Sequence, residues 1–115
     1  MSAPWTLTVR AGSKVEHSHH DTLEAAVAAL GGRLEALEPQ ASRGEFRFLA
    51  RRIEPEQQVA ARLELAGPRG VRGGVDLRGD GSAAPYVGRL RRRLIEPRRG
   101  ESAAEALRRT LDGAT

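Results

Sequence analysis

The densest concentration of charged side chains in this sequence is the arginine run Arg89, Arg91, Arg92, Arg93, Arg98 and Arg99. Guanidinium groups bind phosphate in bidentate fashion. On an extended strand, Arg89, Arg91 and Arg93 would point one way at intervals of about 6.6 Å. That is close to the spacing of successive phosphates along one nucleic-acid strand. Arg72 and Arg78 on a neighbouring strand would widen the patch, and Arg98 and Arg99 would extend it. The candidate polyanion-binding set is therefore Arg72, Arg78, Arg89, Arg91, Arg93, Arg98 and Arg99. Two features weigh against it. No aromatic pair accompanies the run, as single-strand readers require for stacking bases. Arginine also supplies 18 of the 19 basic residues and the chain has no Asn. A codon preference for Arg over Lys explains much of that enrichment without any ligand.

His17, His19, His20 and Asp21 are the one cluster with metal-ligand chemistry. His17 and His19 would share a strand face, and imidazoles two apart can share an ion. A structural zinc needs four ligands, however, and no second cluster supplies them. The expectation is a solvated loop leading into a helix cap, with no metal and no cofactor. Hydrolase chemistry finds no support either. There is no Gly-x-Ser-x-Gly elbow, no Gly-x-Gly-x-x-Gly after a strand and no Walker lysine. Glu54 and Glu56 flank Pro55 and read as strand punctuation. Arg78-Gly79-Asp80 matches a tripeptide of integrin ligands, but its setting is a hairpin turn in a chain with no secretion pattern. The chain is expected not to be an enzyme, and no small-molecule substrate is evident.

Composition sets the outer bounds. A chain of 115 residues predicts one domain spanning 1–115. Its 18 alanines and four aromatics (Trp5, Phe46, Phe48, Tyr86) predict a thin core, in a chain of a size that buries only about two-thirds of its unfolded surface. Self-association would bury more. The absence of cysteine rules out disulfides and fits a reducing compartment. No signal pattern or membrane-length apolar run occurs, so a soluble, cytoplasmic protein without a membrane partner is expected. Residues 1–66 carry a net charge of −1 and residues 67–115 carry +5. Asymmetry of this kind points to an anionic partner for the C-terminal half.

The elements that would position these groups follow from periodicity. Trp5 to Arg10 alternates as a strand, and Val15 to His19 returns after the turn Ala11–Lys14. Asp21 stands three residues before Glu24, a capping-box spacing. Leu23, Val27, Leu30, Leu34 and Leu37 then form one helical stripe. Gly31-Gly32 is expected to kink or stop that helix and Pro39 to end it. Glu45 to Ile53 reads as a strand with Phe46 and Phe48 on one face. Val59–Ala66 and Val71–Arg78 alternate cleanly, with Gly67-Pro68-Arg69-Gly70 and Arg78–Ser82 as turns. Pro85–Ile95 reads as one returning strand with Tyr86, Gly88, Leu90 and Leu94 inward. A helix is the alternative there, because Val87, Leu90 and Leu94 also fit helical spacing. Ser102 and Glu105 open a last helix with Gly113 as its C-cap.

The predicted order is β-(β)-α-β-β-β-β-α: an α+β fold with a mostly antiparallel sheet of four to five strands and two helices on one face. Two functions fit. The first is a small interaction domain that binds itself or another protein through its open sheet face or edge. The second is nucleic-acid or other polyanion binding through the arginine-rich strand. The compositional origin of the arginines favours the first.

Overall fold

The computed structural model describes residues 4–42 and 59–114. The strand predicted at Glu45–Ile53, with Phe46 and Phe48, lies outside the described residues.

Strands β1 (Trp5–Ala11) and β2 (Lys14–His20) form an antiparallel hairpin. Its two-residue turn begins at Gly12, with φ of 61°. A type II′ turn needs that conformation at its first central position, and glycine adopts it without a steric cost. Helix α1 (Leu23–Ser42) follows. Thr22, not Asp21, is its cap: the Thr22 hydroxyl accepts from the Ala25 amide at 3.0 Å.

Contrary to expectation, α1 runs unbroken through Gly31-Gly32 and carries Pro39 inside its last turns. Each glycine costs about 1 kcal/mol, but Leu30, Leu34 and Leu37 are buried and each such burial returns about 1.5–3 kcal/mol. Gly31 also faces α2 (Ala103–Ala114), where an added Cβ would meet Ala104 at an ordinary 3.8 Å. Pro39 withholds the amide that would bond the Glu35 carbonyl. Both residues are exposed, so solvent can satisfy that carbonyl.

The rest of the chain is a meander: β3 (Val59–Ala66), β4 (Arg72–Arg78), β5 (Ala83–Val87) and β6 (Arg93–Leu94), closed by α2. The sheet has six antiparallel strands in the order β2-β1-β3-β4-β5-β6. The class and order are as predicted, and the extra strand comes from Pro85–Ile95. That segment is neither one strand nor a helix. Gly88, at φ 106°, turns the chain, and the return pairs Val87 with Arg93 and Tyr86 with Leu94. Leu90 therefore sits in a loop at 92% exposure and Leu94 at 67%, outside the core.

Both helices cover one face of the sheet. Trp5, Leu7 and Val9 of β1, Leu63 and Leu65 of β3, and Val75 and Leu77 of β4 meet the apolar stripe of α1 and Leu107 and Leu111 of α2. The capping box of α2 forms as predicted. The Glu105 amide donates to Ser102 Oγ at 3.1 Å, and the Ser102 amide donates to Glu105 Oε1 at 2.9 Å. Gly113, expected as a C-cap, lies within the helix, which continues to Ala114.

Gly32 is exposed, and an added Cβ would meet nothing within 4 Å. Gly32→Ala is therefore expected to raise unfolding free energy by about 0.5–1 kcal/mol, read from urea denaturation. No gain would show that α1 is not helical at this point.

Candidate functional site

Cross-strand register lines up His17, Thr8, Glu64, Gly74, Tyr86 and Leu94 in one transverse row over all six strands. Leu63 and Leu65, on either side of Glu64, face the helices, so this row lies on the face they leave open. Tyr86 is nonetheless only 1% exposed. Gly74 makes this possible: a Cβ there would lie 2.8 Å from the Tyr86 hydroxyl oxygen. The ring crosses that bare backbone and its hydroxyl donates to Glu64 Oε2 at 3.2 Å. Arg92 covers the ring from above, 4.7 Å from its centroid, and reaches Glu64 Oε2 at 3.6 Å. Arg72 approaches Glu64 Oε1 at 3.9 Å. Beside this group, Arg62 donates to both carboxylate oxygens of Asp76 at 2.7 and 3.3 Å.

The electrostatics follow from this packing. Burial, reinforced by the Glu64 carboxylate, pushes the Tyr86 phenol well above its ordinary value. The hydrogen bond from Arg62 to Asp76 raises the Arg62 guanidinium further. At the connector before α2, Arg109 holds the Glu101 carboxylate down at about 2. Glu64, Tyr86, Arg72 and Arg92 are thus engaged with one another, as are Arg62 with Asp76 and Arg109 with Glu101.

The seven arginines of the candidate set do not form one ladder. The chain turns at Gly88, so Arg89 and Arg91 occupy the exposed 88–92 loop. Arg93 pairs with Val87 and lines a groove on the helix side with Val71 and Thr110, whereas Arg92 caps the open face. Arg72 is tied to Glu64, and Arg78 ends β4 at the far end of that strand. The Ile95 amide donates to the Pro85 carbonyl at 2.9 Å, so the chain leads away from the loop before Arg98 and Arg99.

What the fold does assemble is a basic end of the sheet. The Gly88 amide donates to the Arg72 carbonyl at 2.9 Å, which sets the 88–92 loop against the start of β4. The β3–β4 turn lies at the same end and adds Arg69, exposed and at φ 62°. Among the described residues, Arg69, Arg89, Arg91 and Arg93 have no carboxylate partner. Arg69 and the pairing role of Arg92 escaped sequence analysis. Turn residues carry no periodicity, and only the antiparallel order brings the two turns together.

The other notable feature is the edge strand β2. Thr8 Oγ1 and His17 Nδ1 lie 3.0 Å apart, and Thr6 Oγ1 and His19 Nδ1 lie 3.2 Å apart, both pairs on the open face. His20 bonds Ser18 on the opposite face, at 2.8 Å. The three histidines are thus divided between two faces.

Stability should report the buried phenol at high pH. Unfolded tyrosine releases its proton near pH 10 while folded Tyr86 keeps it, so its stabilising contribution is complete below about pH 10 and falls as pH rises further. Tyr86→Phe should flatten that decline in urea denaturation at pH 9, 10 and 11. An unchanged slope would place the titrating group elsewhere.

Comparison with protein-family models, with curated proteins and with solved structures returned no match.

Proposed function

We propose that this chain is a non-enzymatic interaction domain that assembles by strand addition, with a second copy of itself as the partner. The observation that carries this is the outer edge of β2. The strand is seven residues long and regularly paired to β1 along its whole length, and its outer side has no neighbour among the described residues. In a two-residue hairpin the residues flanking the turn, Ala11 and Lys14, exchange hydrogen bonds. By alternation Glu16, Ser18 and His20 also bond inward. The free amides and carbonyls belong to Val15, His17 and His19.

Long unprotected edges are templates for strand addition. The opposite edge is different: β6 is two residues long and the chain leaves it at once. A two-fold axis at His17 would set Val15 against the partner's His19 and join two sheets edge to edge. Val15, at 46% exposure, would lose solvent-facing apolar surface in that contact. The mutual engagement of Glu64, Tyr86, Arg92, Arg62 and Asp76 supports binding in preference to catalysis.

The test is mass by light scattering after size exclusion. The wild type should run above its monomer mass of 12.4 kDa. His17→Pro removes an outward amide without touching the β1 ladder and should return the protein to monomer. Val15→Lys with His19→Lys, which places like charges across the axis, should do the same if the proline variant misfolds. A wild type that stays monomeric at every concentration would overturn the proposal.

A further inference from the structure

We propose that the basic end of the sheet binds an anionic lipid surface. Three large apolar side chains are exposed among the described residues: Val15, Leu90 and Leu94. Two of them share the β5–β6 hairpin. Leu90 stands in the 88–92 loop at 92% exposure, between Arg89 and Arg91, and Leu94 follows Arg93 at 67%. Scattered exposed leucines are ordinary. Leu90 stands between Arg89 and Arg91 in the loop and Leu94 follows Arg93 on the adjoining β6, so this hairpin presents exposed apolar and cationic side chains next to one another.

The arrangement of charge selects the ligand. Arg69 comes from the β3–β4 turn, Arg89 and Arg91 from the loop, and Arg93 from the helix side of β6. They leave the chain at different places and spread over the end of the sheet. A nucleic-acid strand presents phosphates in a line and rewards a row of cations with rings for its bases. Here the row is absent. The described aromatics, Trp5 and Tyr86, are 4% and 1% exposed, and Tyr86 is already covered by Arg92. A bed of anionic headgroups accepts a scattered set of cations, and its acyl boundary accepts a leucine. No spanning segment is needed for such a contact, and no described helix is long and apolar enough to cross a membrane. Glu64 draws Arg72 and Arg92 back onto the sheet, leaving Leu90 and its two flanking arginines foremost. The loop lies at the β5–β6 side and β2 forms the opposite edge, so this contact does not depend on strand addition.

Cosedimentation with vesicles of phosphatidylcholine, with and without phosphatidylserine, tests the proposal. The protein should bind only the phosphatidylserine vesicles, and less as salt rises. Arg89→Ala and Arg91→Ala should each weaken partitioning about fivefold. Leu90→Ser, which leaves the charge unchanged, should weaken it about tenfold. His17→Pro should still bind, which separates this contact from edge pairing. Absence of binding to the anionic vesicles would overturn the proposal. So would binding insensitive to Leu90→Ser, or duplex DNA held as tightly as vesicles, either of which would mark a general polyanion site.

Discussion

The structure depends on how closely its backbones approach one another. An added Cβ at Gly73 would lie 2.9 Å from Leu107 Cδ1 and 3.1 Å from Leu111 Cδ2, so α2 rests directly on the bare backbone of β4. Gly31 of α1 faces Ala104 of α2 with room for a methyl group, so the close approach is confined to α2 and β4. The described core is built mainly of leucine and valine, with Ala26, Ala41, Ala60 and Ala61 between them, and helix and sheet approach closely enough at Gly73 for dispersion to act over many atom pairs. Both helices are committed to one face by this, and no described element covers the other.

Gly73 and Gly74 are adjacent and serve opposite faces. Gly73 admits the leucines of α2, and Gly74 admits the ring of Tyr86. Tyr86 thereby becomes buried on a face that no described element covers, with Arg92 as its lid and Glu64 accepting the hydrogen bond from its hydroxyl. A carboxylate in that position would be costly alone. Two arginines and a phenol offset it, and this is why the central part of the open face is held by polar contacts while its margins stay available.

Much of this was legible in the sequence. Alternation located β1, β3 and β4 and the faces they bury, and the Ser102–Glu105 spacing located the start of α2, because each signal is local and repeated. Helix α1 was misjudged at Gly31-Gly32 because the gain from packing against α2 is tertiary and leaves no mark on the sequence. Pro85–Ile95 was misjudged for a related reason. Leu90 and Leu94 look like core residues by type, and only the turn at Gly88 reveals that neither is inward. The candidate site suffered most from this error. Arg89, Arg91 and Arg93 form a ladder only if the strand is continuous. Arg69 joins them only once β3 and β4 are known to be neighbours, and the open edge of β2 is visible only when the sheet order is known.

The strand order also shapes how the molecule comes to be folded. Every neighbouring pair in the sheet joins consecutive strands except β1 and β3, which are separated in sequence by β2, α1 and residues 43–58. The chain thus divides into two locally closed parts, a hairpin with its helix and a four-strand meander with its helix. Contacts within each have short sequence separation, whereas joining β1 to β3 closes the longest loop within the sheet and carries the larger entropic cost of its strand pairings. The cost of that closure grows only with the logarithm of loop length.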